Sequence, residues 1–431
     1  MTLPRVPVGR LYGAPRSIVR KAIDVGEPLP GTTGFAGELD GRLVRDVLGR
    51  VPLYVERSVV SGADDSVDSG ANESLTPGAG ESLDSESTEP VTSVARESFD
   101  SGPTEPVTSG ARDPEDPAWA FSPKDLADPT LVPPGSVGPP GAPKRVWQLP
   151  EPDPDHDHTR SLDRLDAAVR SSTAIVDSEG LAVAFSGGLD SALLAALVDA
   201  PLYVVGFPDG ADVEAAREAA DVMGRTDDLR VRELDLERLE RAVPTVASAI
   251  GRTNAMDVGI GLSLYLVAEA AAADGYDRLL LGQGADELFG GYEKVVRLDH
   301  RVAAETVRGA VREQIETLPD QLPRDVLTIR AAGLTPVAPL LHDAVVEPAL
   351  SLPVDWLATE TERKRALRAV ATRYLPESVA MREKKAVQYG SLVARELDRL
   401  ARQAGYKRRM DDHVSRYISS LLEADADHPT H

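Results

Sequence analysis

Two acids in this chain are hard to explain by folding alone. Asp190 lies in AFSGGLDS (184–191), between an apolar run and a helical pattern, and Asp286 lies in GQGADELFGGY (282–292), just past another apolar run. In the first stretch Ser186, Gly187 and Gly188 make a turn whose glycines let backbone N–H groups converge on an anion. A helix starting near Leu189 adds the positive end of its dipole, and Ser186 and Ser191 add hydroxyls. Together these make a phosphate cradle. Asp190 would repel a phosphate unless a cation stood between them, which points to Mg2+. The lysine of a Walker A loop is missing, so this is a different phosphate loop. The second loop follows a strand of the same sheet and should leave it at the same edge, so Asp286 would face Asp190 across one Mg2+. Either loop alone also reads as a turn with helix-capping acids; the pair does not.

The elements that must hold these loops follow from periodicity. LAVAFS, LYVVGF, LRVRELD and DRLLLG read as buried strands, separated by the helical patterns LDSALLAALVDA, DGADVEAAREAADVMG, DLERLERAVPTVASAI and VGIGLSLYLVAEAAAADG. Alternating strands and helices imply an α/β fold with a doubly wound parallel sheet, and the signals after about residue 295 are mostly helical. Upstream, GFAGELDGRLVRDVLGRVPLYVE (34–56) predicts short strands of a small β-rich domain, to which AWAFSPKDL (118–126) adds one more. Residues 57–117 are Ser, Gly, Asp, Glu and Pro with few large apolar groups, and TEPVTSVAR at 88–96 returns as TEPVTSGAR at 104–112. Such a tract cannot offset its ordering entropy and is expected to be a disordered acidic insertion. A second Pro/Gly/Asp-rich stretch, 133–157, also reads as a linker, and its His156 and His158 read as solvated rather than metal-bound. The expected domains are 1–56 with 118–150, and 158–410.

Composition narrows the classes of function. The net charge is −23, from 70 acids against 47 bases, of which only eight are Lys. This argues against nucleic-acid binding and against docking on an anionic membrane. It fits a salt-adapted, halophilic type of acidic protein. The absence of cysteine excludes disulfides, thiolate metal sites and Cys nucleophiles. No uninterrupted apolar run of about 18 residues and no secretion signal are evident, so the expected location is the cytoplasm.

SGGLDS together with GADELFGGY resembles the synthetase domain of asparagine synthetases and related ATP-pyrophosphatase (PP-loop) enzymes, as do VVGFPDGADVEAAREAADVMG (204–224) and YLPESVAMREKKAVQYG (374–390). The resemblance spans roughly 160–400. It implies cleavage of ATP to AMP and pyrophosphate, with a carboxylate activated as acyl-adenylate and attacked by ammonia or an amine. By position it implies that Ser186, Gly187, Gly188, Leu189, Asp190 and Ser191 hold pyrophosphate, with Asp190 and Asp286 as Mg2+ ligands. It further implies that Val205 and Gly282 meet adenosine through their backbones, and that Lys384 neutralises the α-phosphate and the departing pyrophosphate, with Lys385 as its rival. More faintly, RDVLGRVPLYVE and AFSPKDL resemble pieces of the family's glutaminase domain. That domain needs an N-terminal Cys. Here the chain opens Met-Thr-Leu-Pro, and Thr2 lacks the other glutaminase residues around it, which implies a truncated domain without that activity.

Two departures concern the acceptor. Gln283 stands where asparagine synthetases carry Glu and β-lactam-forming relatives carry Tyr. Glutamine cannot be a general base, but it can orient a group by hydrogen bonds. Val337 in GLTPVAPLLHD (333–343) stands where an Arg would bind the substrate carboxylate. The leading expectation is an AMP-forming amide ligase that uses aspartate and ammonia, the latter free or delivered by a glutaminase partner. The alternatives are adenylation of a different acceptor, a metabolite or a tRNA base, and a non-catalytic nucleotide-binding regulator. The oligomeric state is open.

Overall fold

The computed structural model describes residues 11–57, 119–208, 210–382 and 389–427. The segment expected to be disordered lies outside the described residues apart from Arg57. The chain opens with helix α1 (Arg16–Val25), which the sequence reading did not foresee; it buries only Val19 and Ala22. Strands β1 (Ala36–Leu39), β2 (Arg42–Arg45) and β3 (Tyr54–Glu56) follow where alternation predicts them, and β4 (Trp119–Ala120) falls in AWAFSPKDL.

The stretch 133–157 corrects the linker expectation. Beyond β5 (Pro129–Leu131), it forms β6 (Ser136–Gly138) and β7 (Lys144–Arg145), and Trp147 and Leu149 are buried. The strands make two antiparallel sheets, ordered β1-β2-β6-β7 and β4-β3-β5. The prolines of this stretch fall between strands rather than within a central ladder, so they do not interrupt pairing.

The second half is the predicted α/β fold. Helix α2 (His158–Ala174) leads into β8 (Leu181–Ala184), α3 (Leu189–Leu197), β9 (Leu202–Gly206), α4 (Ala211–Val222) and β10 (Leu229–Glu233). Two long helices follow, α5 (Leu236–Ile250), capped by Asp235, and α6 (Ala255–Ala273), capped by Asn254. Strand β11 (Arg278–Leu280), helices α7 (Ala285–Phe289) and α8 (Val307–Ala331), and strand β12 (Thr335–Val337) complete the sheet. Helices α9 (Arg365–Ala371), α10 (Tyr389–Gln403) and α11 (His413–Asp427) close the chain. All sheet pairs in this half are parallel, in the order β10-β9-β8-β11-β12. Among the described residues α6 is the one helix long and apolar enough to cross a membrane by length and composition. It packs against α5, α8 and α10, which makes it a core helix.

Two buried arginines join the halves. Arg45, on β2, is fully buried; its Nε donates to the Val51 carbonyl (3.1 Å), Nη1 to that of Val132, and Nη2 to those of Gly49 (2.8 Å) and Pro319 (3.0 Å). The last bond has a cause in the sequence. Pro323, inside α8, has no N–H, so the Pro319 carbonyl lacks its helical donor and takes the guanidinium instead. Burial pushes Arg45 down to about 10, against the pull of Asp46, so it stays charged at neutral pH. Arg50 donates from Nε to Asp46 (2.8 Å), and from Nη1 to Asp343 (2.6 Å) and the Leu341 carbonyl (2.7 Å). One continuous core accordingly contains Phe35, Val44 and Trp147 from the first half, with Val183, Leu193 and Leu318 from the second.

Replacing Arg45 with Met should leave its carbonyl partners without a donor and cost about 3 kcal/mol. Urea unfolding would show a lowered midpoint, partly recovered by Arg45→Lys, whose ammonium cannot reproduce the guanidinium fork. Coincident midpoints for Arg45→Met and the unmodified chain would refute the brace.

Candidate functional site

In this strand order β8 and β11 lie side by side, and their connections run to opposite sides of the sheet, to β9 and to β12. That is the topological switch point, the place where open α/β sheets bind their ligands. Ser186 to Gly188 follow β8, and Gly282 to Gly284 follow β11. The two loops touch. A β-carbon built on Gly282 would fall 2.7 Å from that of Asp190, so only glycine lets the second loop approach the start of α3 so closely.

The first loop has its own internal order. Gly187 has φ +66°, and a β-carbon there would fall 2.3 Å from the Ala215 carbonyl of α4, so both conformation and space demand glycine. Ser191, in the first turn of α3, donates through Oγ to the Gly188 carbonyl (3.1 Å) and accepts from the Ser186 N–H (3.3 Å). Leu189, the first residue of α3, has its side chain buried in the core, which leaves only its backbone to the turn.

Asp190 and Asp286 meet at one cation, the side chain of Lys364. Its Nζ lies 2.7 Å from Asp190 Oδ2 and 2.8 Å from Asp286 Oδ1. Burial by itself would lower the Lys364 pKa, but the two carboxylates override it and raise the group above its ordinary value. The residue is delivered by a short turn in which Ala358 pairs with Arg363, and it sits in the left-handed region at φ 56°, immediately before α9. A non-glycine residue there is uncommon and strained, and such strain persists where surrounding contacts hold it. Gly291 makes room for it, since a β-carbon there would fall 1.9 Å from Asp286 Oδ1 and 2.5 Å from Lys364 Cε.

The sequence reading did not single out Lys364. The signal existed, because a chain with only eight lysines among 47 bases retains lysine where a compact ammonium is needed. The neighbouring acids of the second loop have different fates. The Asp286 side chain is 41% exposed, whereas Glu287 is buried and accepts from the Tyr292 hydroxyl. Burial pushes Glu287 up, with the Tyr292 bond opposing the shift.

Gln283 follows Gly282 and turns toward α8, where its Nε2 donates to Asp325 Oδ2 at 2.6 Å. Asp325 Oδ1 accepts from Arg324 Nε (2.7 Å), and Arg324 Nη1 donates to Asp257 (3.0 Å), which also accepts from Arg252 (3.0 Å) and Asn254 (2.9 Å). Burial pushes Asp325 above the usual carboxylate range, while Arg324 and Gln283 pull it back. Val337 is the β12 partner of Leu280, so the two sequence departures flank the end of the same strand, β11. Val205 is buried near the end of β9 and lines a small cavity of about 20 Å³ with Phe207, Ser263 and Leu392. Lys384 and Lys385 lie outside the described residues. Arg382, shortly before them, donates to the Ala215 carbonyl (3.1 Å), the atom that crowds Gly187.

The donor set fits Mg2+. Asp190 and Asp286 offer two carboxylate oxygens of the kind Mg2+ accepts when phosphate oxygens and water fill its other positions, although among the described residues no group of three His, Asp or Glu is placed to hold a metal by itself. Elsewhere, His158 stacks edge-on against Trp356.

The asparagine synthase family profile matches residues 161–325 and 299–426, more than half of the chain. Over 292 residues the chain is 30% identical to "Putative asparagine synthetase (glutamine-hydrolyzing) 1" of Methanocaldococcus jannaschii, covering 58% of this chain and 53% of that protein. Over 256 residues it is 26% identical to asparagine synthetase B (glutamine-hydrolyzing) of Escherichia coli K12, covering 54% and 46%. The chain thus matches about half the length of these curated relatives.

Lys364→Met should leave two facing carboxylates without their cation and lower any turnover at the site by about 100-fold, the scale for losing one charged stabilising group. Gly291→Ala should act in the same direction by displacing Lys364. Since the Lys364 pKa is raised from 10.5, its bridge is fully present below that value and lost only as pH climbs through the folded value. The stability difference between the unmodified chain and Lys364→Met should therefore be flat from about pH 6 to about pH 9. A difference that shrinks across that interval would contradict the assignment.

Proposed function

Because this chain belongs to the asparagine synthase family, we propose that it is an ATP-dependent, AMP-forming amide ligase that activates a carboxylate as acyl-adenylate and passes it to ammonia. The observation that carries the reading is the meeting of Asp190, Asp286 and Lys364 beside the Ser186–Ser191 turn, at the switch point of the sheet. The turn's N–H groups and the two serine hydroxyls would hold the pyrophosphate end of ATP. Asp190 and Asp286 would hold Mg2+, which supplies charge neutralisation on the phosphate oxygens. Lys364 keeps the two acids together and, with Lys384 from the C-terminal segment, would offset the negative charge that grows on pyrophosphate as it departs. Val205 and Gly282 would meet the adenosine through their backbones.

Aspartate is the first carboxylate to try, on family grounds, although Gln283 and Val337 change the acceptor side. Ammonia would arrive free or from a glutaminase partner, since no cysteine is present to hydrolyse glutamine. On this reading the first half of the chain is a shortened remnant of the glutaminase domain, and the protein works in the cytoplasm.

The deciding assay follows AMP and pyrophosphate release from ATP in concentrated KCl with Mg2+, with aspartate and other carboxylates, using ammonia or glutamine. Aspartate with ammonia should give AMP, and glutamine should not replace ammonia. Asp190→Asn should abolish AMP formation and, because it removes one of the two carboxylates that hold the buried Lys364, lower the thermal midpoint only modestly, with the fold retained by circular dichroism. Retained AMP formation in that variant would remove Asp190 from the metal site.

A further inference from the structure

The network behind Gln283 fixes which end of its amide is which. Carboxylates can only accept, and guanidinium groups can only donate. Arg252 donates to Asp257, Arg324 donates to both Asp257 and Asp325, and the second oxygen of Asp325 is left for Gln283. Only Nε2 of the amide can satisfy that oxygen. The acids and Arg324 are all buried, so water does not compete for these positions. The amide is planar, so holding Nε2 against α8 turns Oε1 away from Asp325.

We infer that Asp325 is a positioning residue that presents Gln283 Oε1 as a hydrogen-bond acceptor to the nitrogen nucleophile of the second half-reaction. The inference rests on the amide-ligase reading. In that step the ammonia lone pair forms a C–N bond to the acyl carbon, and the acyl C–O bond to the phosphate breaks. AMP leaves with that electron pair, and one nitrogen proton passes to water. Oε1 would accept an N–H of ammonia and aim its lone pair at the acyl carbon. An amide oxygen takes no proton at neutral pH, so Gln283 orients the nucleophile without serving as its base. Neighbouring Gly282, packed on Asp190, puts this acceptor within one residue of the phosphate end of the site.

The test uses the full chain with aspartate, ATP, Mg2+ and ammonium chloride, and compares two readouts. ATP–pyrophosphate exchange reports adenylation, and the ratio of amide to AMP reports capture of the adenylate by ammonia rather than water. In Asp325→Asn the introduced oxygen stays with Arg324, so its NH2 faces Gln283 and draws Oε1 inward, and Gln283→Glu sets one carboxylate against another. Each should lower the amide-to-AMP ratio about tenfold, the scale for one positioning hydrogen bond. In the double variant the amide introduced on α8 can donate to the carboxylate introduced in the loop, whose other oxygen again faces the nucleophile. The ratio should then recover to within about threefold of the unmodified chain. A purely structural role for Asp325 would lower exchange and amide together, and the double variant would be worse than either single one; that result overturns the inference. An unchanged ratio in Gln283→Glu, which leaves Asp325 paired with Arg324, overturns it even if Asp325→Asn fails to fold. No exchange by the unmodified chain overturns the functional reading and this inference with it, whereas exchange with unchanged ratios overturns the inference alone.

Discussion

Two carboxylates cannot share a small space unless something positive stands between them, and much of the site's architecture answers that constraint. Asp190 and Asp286 stand in the first turns of α3 and α7, which follow neighbouring strands of one sheet, so the fold forces them together. Lys364 resolves the conflict from a third direction, reached through a strained backbone and a glycine that clears its path. Two negative charges and one positive charge leave the cluster short of neutral, which suits a place where a divalent ion and phosphates must be handled together. The strain is held by the turn before α9 and by α9 itself, whose Arg368 N–H bonds the Lys364 carbonyl.

The legible part of the chain was the part governed by local pattern. The strands β8 to β11 and the helices between them follow hydrophobic periodicity, and the tight turn after β8 announces itself through Gly187, a position no other residue can fill. Lys364 and Asp325 were not legible in the same way. Each acts across a long sequence separation, 174 positions from Lys364 to Asp190 and 42 from Asp325 to Gln283, so no short motif contains both partners. The stretch 133–157 misled for a different reason. Its prolines and glycines dominate the composition, while a few well-placed residues, Val137, Trp147 and Leu149, decide its burial. Helix α1 was missed because its buried face is only two residues wide, too narrow to stand out as a periodic stripe.

The Gln283 side of the site follows a separate logic from the Ser186–Ser191 turn. Around that turn the important groups are backbone and small side chains, whose positions follow from the fold. Around Gln283 they are long side chains in series, running from the cap of α6 to the proline-containing part of α8. A relay of alternating charges transmits orientation more faithfully than a single contact, because each member has one allowed sense of donation. It also ties Gln283 to elements remote from the Ser186–Ser191 turn.

The bond between Arg45 and the Pro319 carbonyl gives the two halves a relation unlike that of beads on a string. A domain that is complete in itself can be moved by recombination into new contexts. Here a helix of the second half has a gap in its own backbone ladder that is filled from the first. The halves are separable as text, since a family profile picks out one of them, but neither is a finished unit of structure. Shuffling the second half onto another partner would demand either a second arginine in the same place or the replacement of Pro323 by a residue with an N–H. The dependence acts as a ratchet: whatever chemistry the first half gains or loses, the second cannot shed it without first repairing its own helix.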